Sequence, residues 1–354
     1  MQFRVQPTSV RHRFGVRKRL SRVTESQTAP RRRLGAEGLE LSPLGLGCFG
    51  LSGTYGPADE SESIRTIHRA LDLGCNLLDT ADEYGAGRNE LLLGRALAGR
   101  RRQAFLGTKF GFAWDHNGKA IGLNGHPDYV RRACEASLGR LQTDVIDIYY
   151  LHRVDPKIPI EETVGAMVKL VGEGKVRYLG LSEATPDQIR RACRVHTVAA
   201  LQSEYSLWTR EPEEHLLPLC RELGIAFVAF SPLGRGFFSG KLNSHSISGE
   251  DFRTHLPRFQ PENFDINSRL LPALLAIAER KTCSPAQLAL AWVLAQGDKV
   301  FAIPGTKSAG HLEENLRALS LNLSDDEKRA VNETFRPGVF AGERYPKTSL
   351  FGPE

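Results

Sequence analysis

The chain is 354 residues long, 41% hydrophobic, and carries a formal net charge of +6. That length and apolar content suffice for a large single α/β barrel, and no run of about 18 apolar residues is present to cross a membrane. The six cysteines form no CxxC pair, which speaks against a disulfide framework or a thiolate metal site and for reduced thiols in a cytoplasmic protein.

The charge is unevenly placed. Residues 1–33 hold ten Lys/Arg against one acid, Glu25, a net +9, so the rest of the chain carries −3. The body is therefore not a basic nucleic-acid binder. The head lacks the apolar core of a secretory signal and reads as a disordered basic extension, with an organellar transit peptide as the second reading. Its closing "RRR" (31–33) reads as a solvated charge run.

From residue 34 to about 340, short apolar runs alternate with amphipathic stretches. "LGLGCF" (44–49) opens as a strand. A helix over 61–73 starts at Asp59 or Ser61 and stops at Gly74. "CNLLDT" (75–80) is a strand and 88–98 a helix. "QAFLGTKF" (103–110) is a strand, followed by a helix from Pro127 to about Leu138. "VIDIYYLH" (145–152), "VRYLGLSE" (176–183), "VAALQSEY" (198–205) and "IAFVAFSP" (225–232) are strands, separated by helices over 160–172, 186–195 and 213–223. A polar loop with isolated phenylalanines, 233–268, reads as a flap. Helices over 269–281 and 285–295, a last strand "KVFAIPGTK" (299–307) and a helix over 309–318 follow. The tail, 341–354, is expected near the mouth of the fold. About eight strand–helix units imply a parallel sheet closed into a (β/α)8 TIM barrel.

In such a barrel the chemistry sits where strands end. Here the apolar runs end in Asp79, Lys109, His152, Ser182 and Glu183, Gln202, Ser231 and Lys307. One buried polar residue is usually a satisfied structural group. A series at equivalent ends converges on one patch. Asp79 and Lys109, on adjacent strand ends, are placed to pair, and Tyr84 follows Asp79 by one short loop. A phenol is a poor acid near neutrality, with a pKa of about 10. A neighbouring ammonium is expected to lower it, with Asp79 as counter-ion and His152 orienting a substrate oxygen. The set is a protonation device for a developing alkoxide.

Asp79, Tyr84, Lys109 and His152 resemble, in order and setting, the catalytic tetrad of the aldo-keto reductases. "LDTADEYG", "GLSEATPDQI" (180–189), "FSPLGRGFFSGK" (230–241) and "IPGTKSAGHLEEN" (303–315) resemble further segments of that family, most closely of its pyridoxal and perakine reductase-like group. The resemblance implies Tyr84 as proton donor, tuned by Lys109 and Asp79, with His152 orienting the carbonyl. It implies nicotinamide contacts from Ser182, Gln202 and the ring of Phe230. Ser231, Leu233, Arg235 and Gly236 match the diphosphate loop, Lys307 and Ser308 the 2′-phosphate contacts, and Glu314 and Asn315 the adenine contacts. His311 stands where relatives often carry an arginine. A cationic Lys307 still favours NADPH, with NADH possible. The implied activity is reduction of an aldehyde or ketone by a monomer or homo-oligomer, away from membranes and nucleic acid.

"GLGCFG" (45–50) fits a dinucleotide fingerprint, but the turn-rich "LSGTYGP" follows where a helix should open, so its glycines are read as strand-end residues. Tyr55, Trp114, His116 and Trp208 are candidates to line the substrate pocket, with structural packing as the alternative. No spacing of His, Cys and acids suggests a metal. Two other functions compete with the reductase: a slow NADPH-binding redox-sensing subunit, and a cofactor-free isomerase or aldolase that uses Lys109 as a Schiff-base nucleophile.

Overall fold

The computed structural model describes residues 30–35, 39–115, 120–347 and 349. The basic segment 1–29, most of the expected extension, lies outside the described residues, as does His116. Eight parallel strands form one sheet: β1 (Leu46–Gly47), β2 (Leu77–Asp79), β3 (Phe105–Phe110), β4 (Ile146–Leu151), β5 (Val176–Ser182), β6 (Ala200–Glu204), β7 (Ala226–Phe230) and β8 (Val300–Ile303). Each pairs with its neighbour in chain order. The Gly45 amide donates to the Ala302 carbonyl at 2.9 Å and the Gly47 amide to the Pro304 carbonyl at 3.2 Å, which closes β8 onto β1 as a barrel.

The alternation along each strand sorts its side chains. Ile148 and Tyr150 of β4 point inward with Leu77, Val228 and Phe301, while Tyr149 and Leu151 point outward under the helices. A Cβ on Gly180 of β5 would run into the Tyr150 ring, so this large inward aromatic requires a glycine beside it. Leu34 and Leu41 join the same inner cluster from an antiparallel pair, Arg32–Leu34 with Leu39–Leu41, which plugs one end of the barrel. Here the "RRR" reading needs correction. Arg33 is solvated, but Arg32 donates to the carbonyls of Leu294 and Gly297 at 3.0 Å each, and to that of Val300. Its guanidinium fixes the plug to the β8 side.

The outer layer consists of α1 (Glu60–Asp72), α2 (Arg88–Ala96), α3 (Pro127–Leu141), α4 (Ile160–Gly172), α5 (Pro186–Val195), α6 (Leu216–Leu223), α7 (Pro261–Ser268), α8 (Leu271–Arg280), α9 (Pro285–Leu294), α10 (Ala309–Leu316) and α11 (Asp325–Thr334). Side-chain caps set several starts: Asp59 accepts from the Glu62 amide, and Thr185 and Ser284 form capping boxes with Gln188 and Gln287. The strands end at the mouth opposite the plug. There the loop after β7 is not a bare flap. It runs through short 3-10 turns into α7, and three of its phenylalanines gather around Trp208, with Phe237 stacked at 4.8 Å and Phe238 and Phe259 edge-on at 5.3 and 5.5 Å.

Candidate active site

The strand register at the mouth puts Asp79 beside Gly107 and Lys109 beside Tyr150. Lys109 is fully buried. Its ammonium donates to Asp79 Oδ1 at 2.5 Å, to the Thr80 carbonyl at 2.8 Å and to Tyr84 Oη at 3.0 Å. All three of its donors are therefore spent. Gln202 Nε2 donates to the other Asp79 oxygen at 2.8 Å, so the carboxylate is held from two sides. Burial pushes Lys109 down and Asp79 up, each opposed by the charge of its partner. We take the pair as ionised, because every hydrogen bond around it serves the charged forms.

The Tyr84 ring is fixed by Phe49 at 4.7 Å and faces His152 edge-on at 6.0 Å. The expected net lowering of the Tyr84 pKa is not what the site gives: whatever Lys109 contributes toward the phenolate is outweighed. Burial, then the negative charges of Asp79 and Glu83, push the phenol well above its ordinary value, and Arg153 pulls the other way. The ammonium's charge is answered at closer range by Asp79. Because Tyr84 Oη accepts from Lys109, its own proton is available to an oxygen in the cavity. Burial, with the cations Arg153 and Lys109, pushes His152 well below its ordinary value, so the imidazole is neutral. Its Nδ1 has no hydrogen-bond partner among the described residues.

A cavity of about 470 Å³ opens from this group. Its lining brings together Asp79, Tyr84, His152, Ser182, Gln202, Phe230, Ser231, Leu233, Arg235, Gly236, Lys307, Ser308, His311 and Tyr55 of the sequence-predicted residues. Gly47 and Gly50 of "GLGCFG" line it too. A Cβ on Gly47 would sit 2.6 Å from the Ile303 carbonyl oxygen, so that glycine serves the β1–β8 closure.

Five predicted residues among those described are not in the lining: Lys109, fully buried behind Asp79 and Tyr84, and four others. Trp208 is buried in the aromatic cluster, under the Arg258 guanidinium at 5.1 Å, and Trp114 lies in a short strand pair, Phe112–Trp114 with Ala120–Leu123. Glu314 and Asn315 lie near the far end of α10, where Glu314 is 3.7 Å from Lys241 and Asn315 is buried. Lys307, Ser308 and His311, at the start of that helix, do face the cavity.

The cations Lys307 and Arg235 in the lining are held by neighbours. Lys307 Nζ donates to the carbonyls of Tyr55, Gly56 and Pro57, at 3.0, 3.3 and 2.9 Å. Arg235 donates to Tyr55 Oη at 3.0 Å, Tyr345 Oη at 2.8 Å and Glu204 at 3.3 Å. Sequence reasoning missed Phe49, Glu83, Arg153, Phe252, Arg253 and Tyr345, all of which line the cavity. Glu83 and Arg153 are chain neighbours of Tyr84 and His152, a signal that was open to use. Arg253 and Tyr345 lie in loops without periodicity.

A closed parallel barrel with a buried lysine–carboxylate pair behind a tyrosine, facing a cavity that is also lined by cations, defines a class of oxidoreductase. Residues 43–335 match the model of the aldo/keto reductase family. The chain is 48% identical over 326 residues to a probable aldo-keto reductase 1 from Glycine max, covering 91% of this chain and 93% of that one. Among solved structures it is similar to the glycerol dehydrogenase from Gluconobacter oxydans, with a TM-score of 0.79, 32% identity, and coverage of 86% and 94%. It is also similar to an aldo/keto reductase from Klebsiella pneumoniae in complex with NADP and acetate, with a TM-score of 0.68, 28% identity, and coverage of 90% and 99%. The chain belongs to the aldo/keto reductase family.

Proposed function

We propose that this oxidoreductase reduces an aldehyde or ketone to an alcohol, with NADPH as hydride source and Tyr84 as proton donor. The observation that carries the reading is the chain of contacts from Asp79 through Lys109 to Tyr84 Oη, ending at a cavity. The donor set fits a nicotinamide dinucleotide. Ser182 and Gln202 lie beside the tetrad residues, and Arg235, Arg253 and Lys307 in the same lining supply positive charge for phosphates. A dinucleotide held by these residues would supply the hydride for the carbonyl carbon. The protein's part is the proton. A phenol held above its ordinary pKa stays protonated until a substrate oxygen gains charge, and Lys109 then steadies the phenolate left behind. Neutral His152 can donate a hydrogen bond to the same oxygen, fixing the carbonyl. The charged state of Lys109 disfavours the Schiff-base reading, since an ammonium is not a nucleophile.

The test is NADPH oxidation with a panel of small aldehydes, wild type against Tyr84→Phe. The expected outcome is a fall in kcat/KM of about 10²–10⁴ with NADPH binding, read by fluorescence, retained. Equal rates would leave Tyr84 a packing residue. Tight NADPH binding with negligible turnover in both proteins would favour the redox-sensing subunit.

A further inference from the structure

Glu83 precedes Tyr84 on the loop after β2 and lines the same cavity as Tyr84 and His152. Its side chain is half-buried. Lys109 from β3 and Arg153 from the end of β4 face it, Tyr84 adjoins it, and Asp82 acts on it from its own loop. The other acid in the cavity lining, Asp79, is neutralised by Lys109 and bonded by Gln202. Arg235 and Lys307 are gathered around Tyr55, on the other side of the Phe49 ring from Tyr84, and the Arg253 guanidinium lies 5.2 Å over the Tyr55 ring. Arg153 turns its guanidinium to the His152 carbonyl at 2.7 Å and Ser182 Oγ at 3.3 Å. The cavity thus carries, beside the proton donor, one carboxyl group that no salt bridge to Lys109 or Arg153 ties down, next to an Arg153 guanidinium engaged with His152 and Ser182.

We propose, resting on the reductase reading, that Glu83 sets the charge selectivity of the carbonyl site: neutral and cationic carbonyl compounds are accepted and carboxylate-bearing ones are turned away. A substrate whose carbonyl oxygen meets Tyr84 brings its remaining atoms past the residue next to Tyr84. Burial pushes the Glu83 carboxyl up to about 7, against the pull of Lys109 and Arg153. The group is therefore neutral below that pH and anionic above it. The repulsion appears only once Glu83 ionises, so discrimination against anions grows as the pH rises through neutrality. Like-charge repulsion at this range in a half-buried site changes affinity by about tenfold.

The experiment compares wild type, Glu83→Gln and Glu83→Asp with saturating NADPH at about pH 6 and about pH 8, either side of the Glu83 transition. The aldehydes are benzaldehyde, 4-carboxybenzaldehyde and 4-(trimethylammonio)benzaldehyde. In wild type the kcat/KM ratio of the carboxylate to benzaldehyde is expected to fall about tenfold between the two pH values, mainly through KM. The ratio for the cationic aldehyde should rise. In Glu83→Gln both ratios should be flat, and Glu83→Asp should restore the trend. Ratios that move alike in wild type and Glu83→Gln overturn the proposal. A second readout is calorimetric binding of benzoate and benzamide, with and without NADP+. Benzoate should weaken relative to benzamide at the higher pH in wild type alone. If no aldehyde supports NADPH oxidation, the reductase reading has failed, and the calorimetry alone decides the role of Glu83.

Discussion

Lys307 donates to three backbone carbonyls, of Tyr55, Gly56 and Pro57. These partners are neutral, and Asp251 acts on the ammonium only through its field. Burial and the nearby Arg253 push Lys307 down from its ordinary value, so an incoming phosphate would relieve its environment as well as bind. Lys307→Met is expected to weaken NADPH about tenfold, the scale of one charge-assisted hydrogen bond, and to leave NADH nearly unchanged. Fluorescence titration with each nucleotide checks this, and equal weakening of both would remove Lys307 from the phosphate site. The same scale shows what could be read from residues alone. Asp79, Lys109 and Gln202 were legible because each interrupts an apolar run, and burying a polar group requires a reason. Trp208 stayed open between pocket wall and core because a large aromatic past a strand end suits both. Only the partners Phe237, Phe238 and Phe259 decide between them.

The C-terminal segment behaves as a strap over the mouth. Arg344 pairs with Glu183 at 2.7 Å and Glu204 at 3.5 Å, Tyr345 accepts from Arg235, and Asn267 exchanges hydrogen bonds with the Ala341 backbone at 3.0 and 2.8 Å. Glu183 and Glu204 are both only 3% exposed in their side chains; without Arg344, Glu204 keeps Arg235 and Arg258, but Glu183 stays buried without its ion-pair partner. Arg344→Met is expected to cost about 3 kcal/mol in urea unfolding and to speed proteolytic cleavage within 340–347. A loss under about 1 kcal/mol would mean the strap is held by Phe340 and Asn267 instead. Elements of strong period were legible: the helices expected over 160–172 and 186–195 span Ile160–Gly172 and Pro186–Val195. The antiparallel plug, α7 and α11 were not, because short or polar segments take their form from tertiary contacts. Charge mattered most where it was least visible, in pairings between residues more than 100 positions apart, such as Arg344 with Glu183.

At the scale of the whole molecule, the buried carboxyl groups fall into two sets with opposite linkage to pH. Burial alone would raise Glu204, but Arg344, Arg235 and Arg258 outweigh it and hold the group down at about 2, with Glu183 lowered in the same way by Arg344 and Arg153. A depressed folded pKa contributes stability that is fully present above the unfolded value, near 4.5, and is lost as the pH falls toward 2. Glu83, raised by burial to about 7, and Asp82, raised well above its ordinary value by burial and then Glu90, do the reverse. Their stabilisation is complete below the unfolded value and is lost above it, for Glu83 as the pH rises toward 7. A shift of the size shown by Glu204 or Glu83 corresponds to about 3 kcal/mol, less for Glu83 because its half-buried side chain is screened. Stability should therefore peak near pH 5, where the depressed set is ionised and the raised set protonated. Urea midpoints between about pH 3 and pH 8 check this, and Glu83→Gln should flatten part of the decline between about pH 5 and pH 7 while leaving the acid limb in place. A midpoint that holds steady or climbs from pH 5 to 7 would mean that the acids beside Tyr84 are ionised in the folded protein, with their charge already met by Arg153 and Lys109.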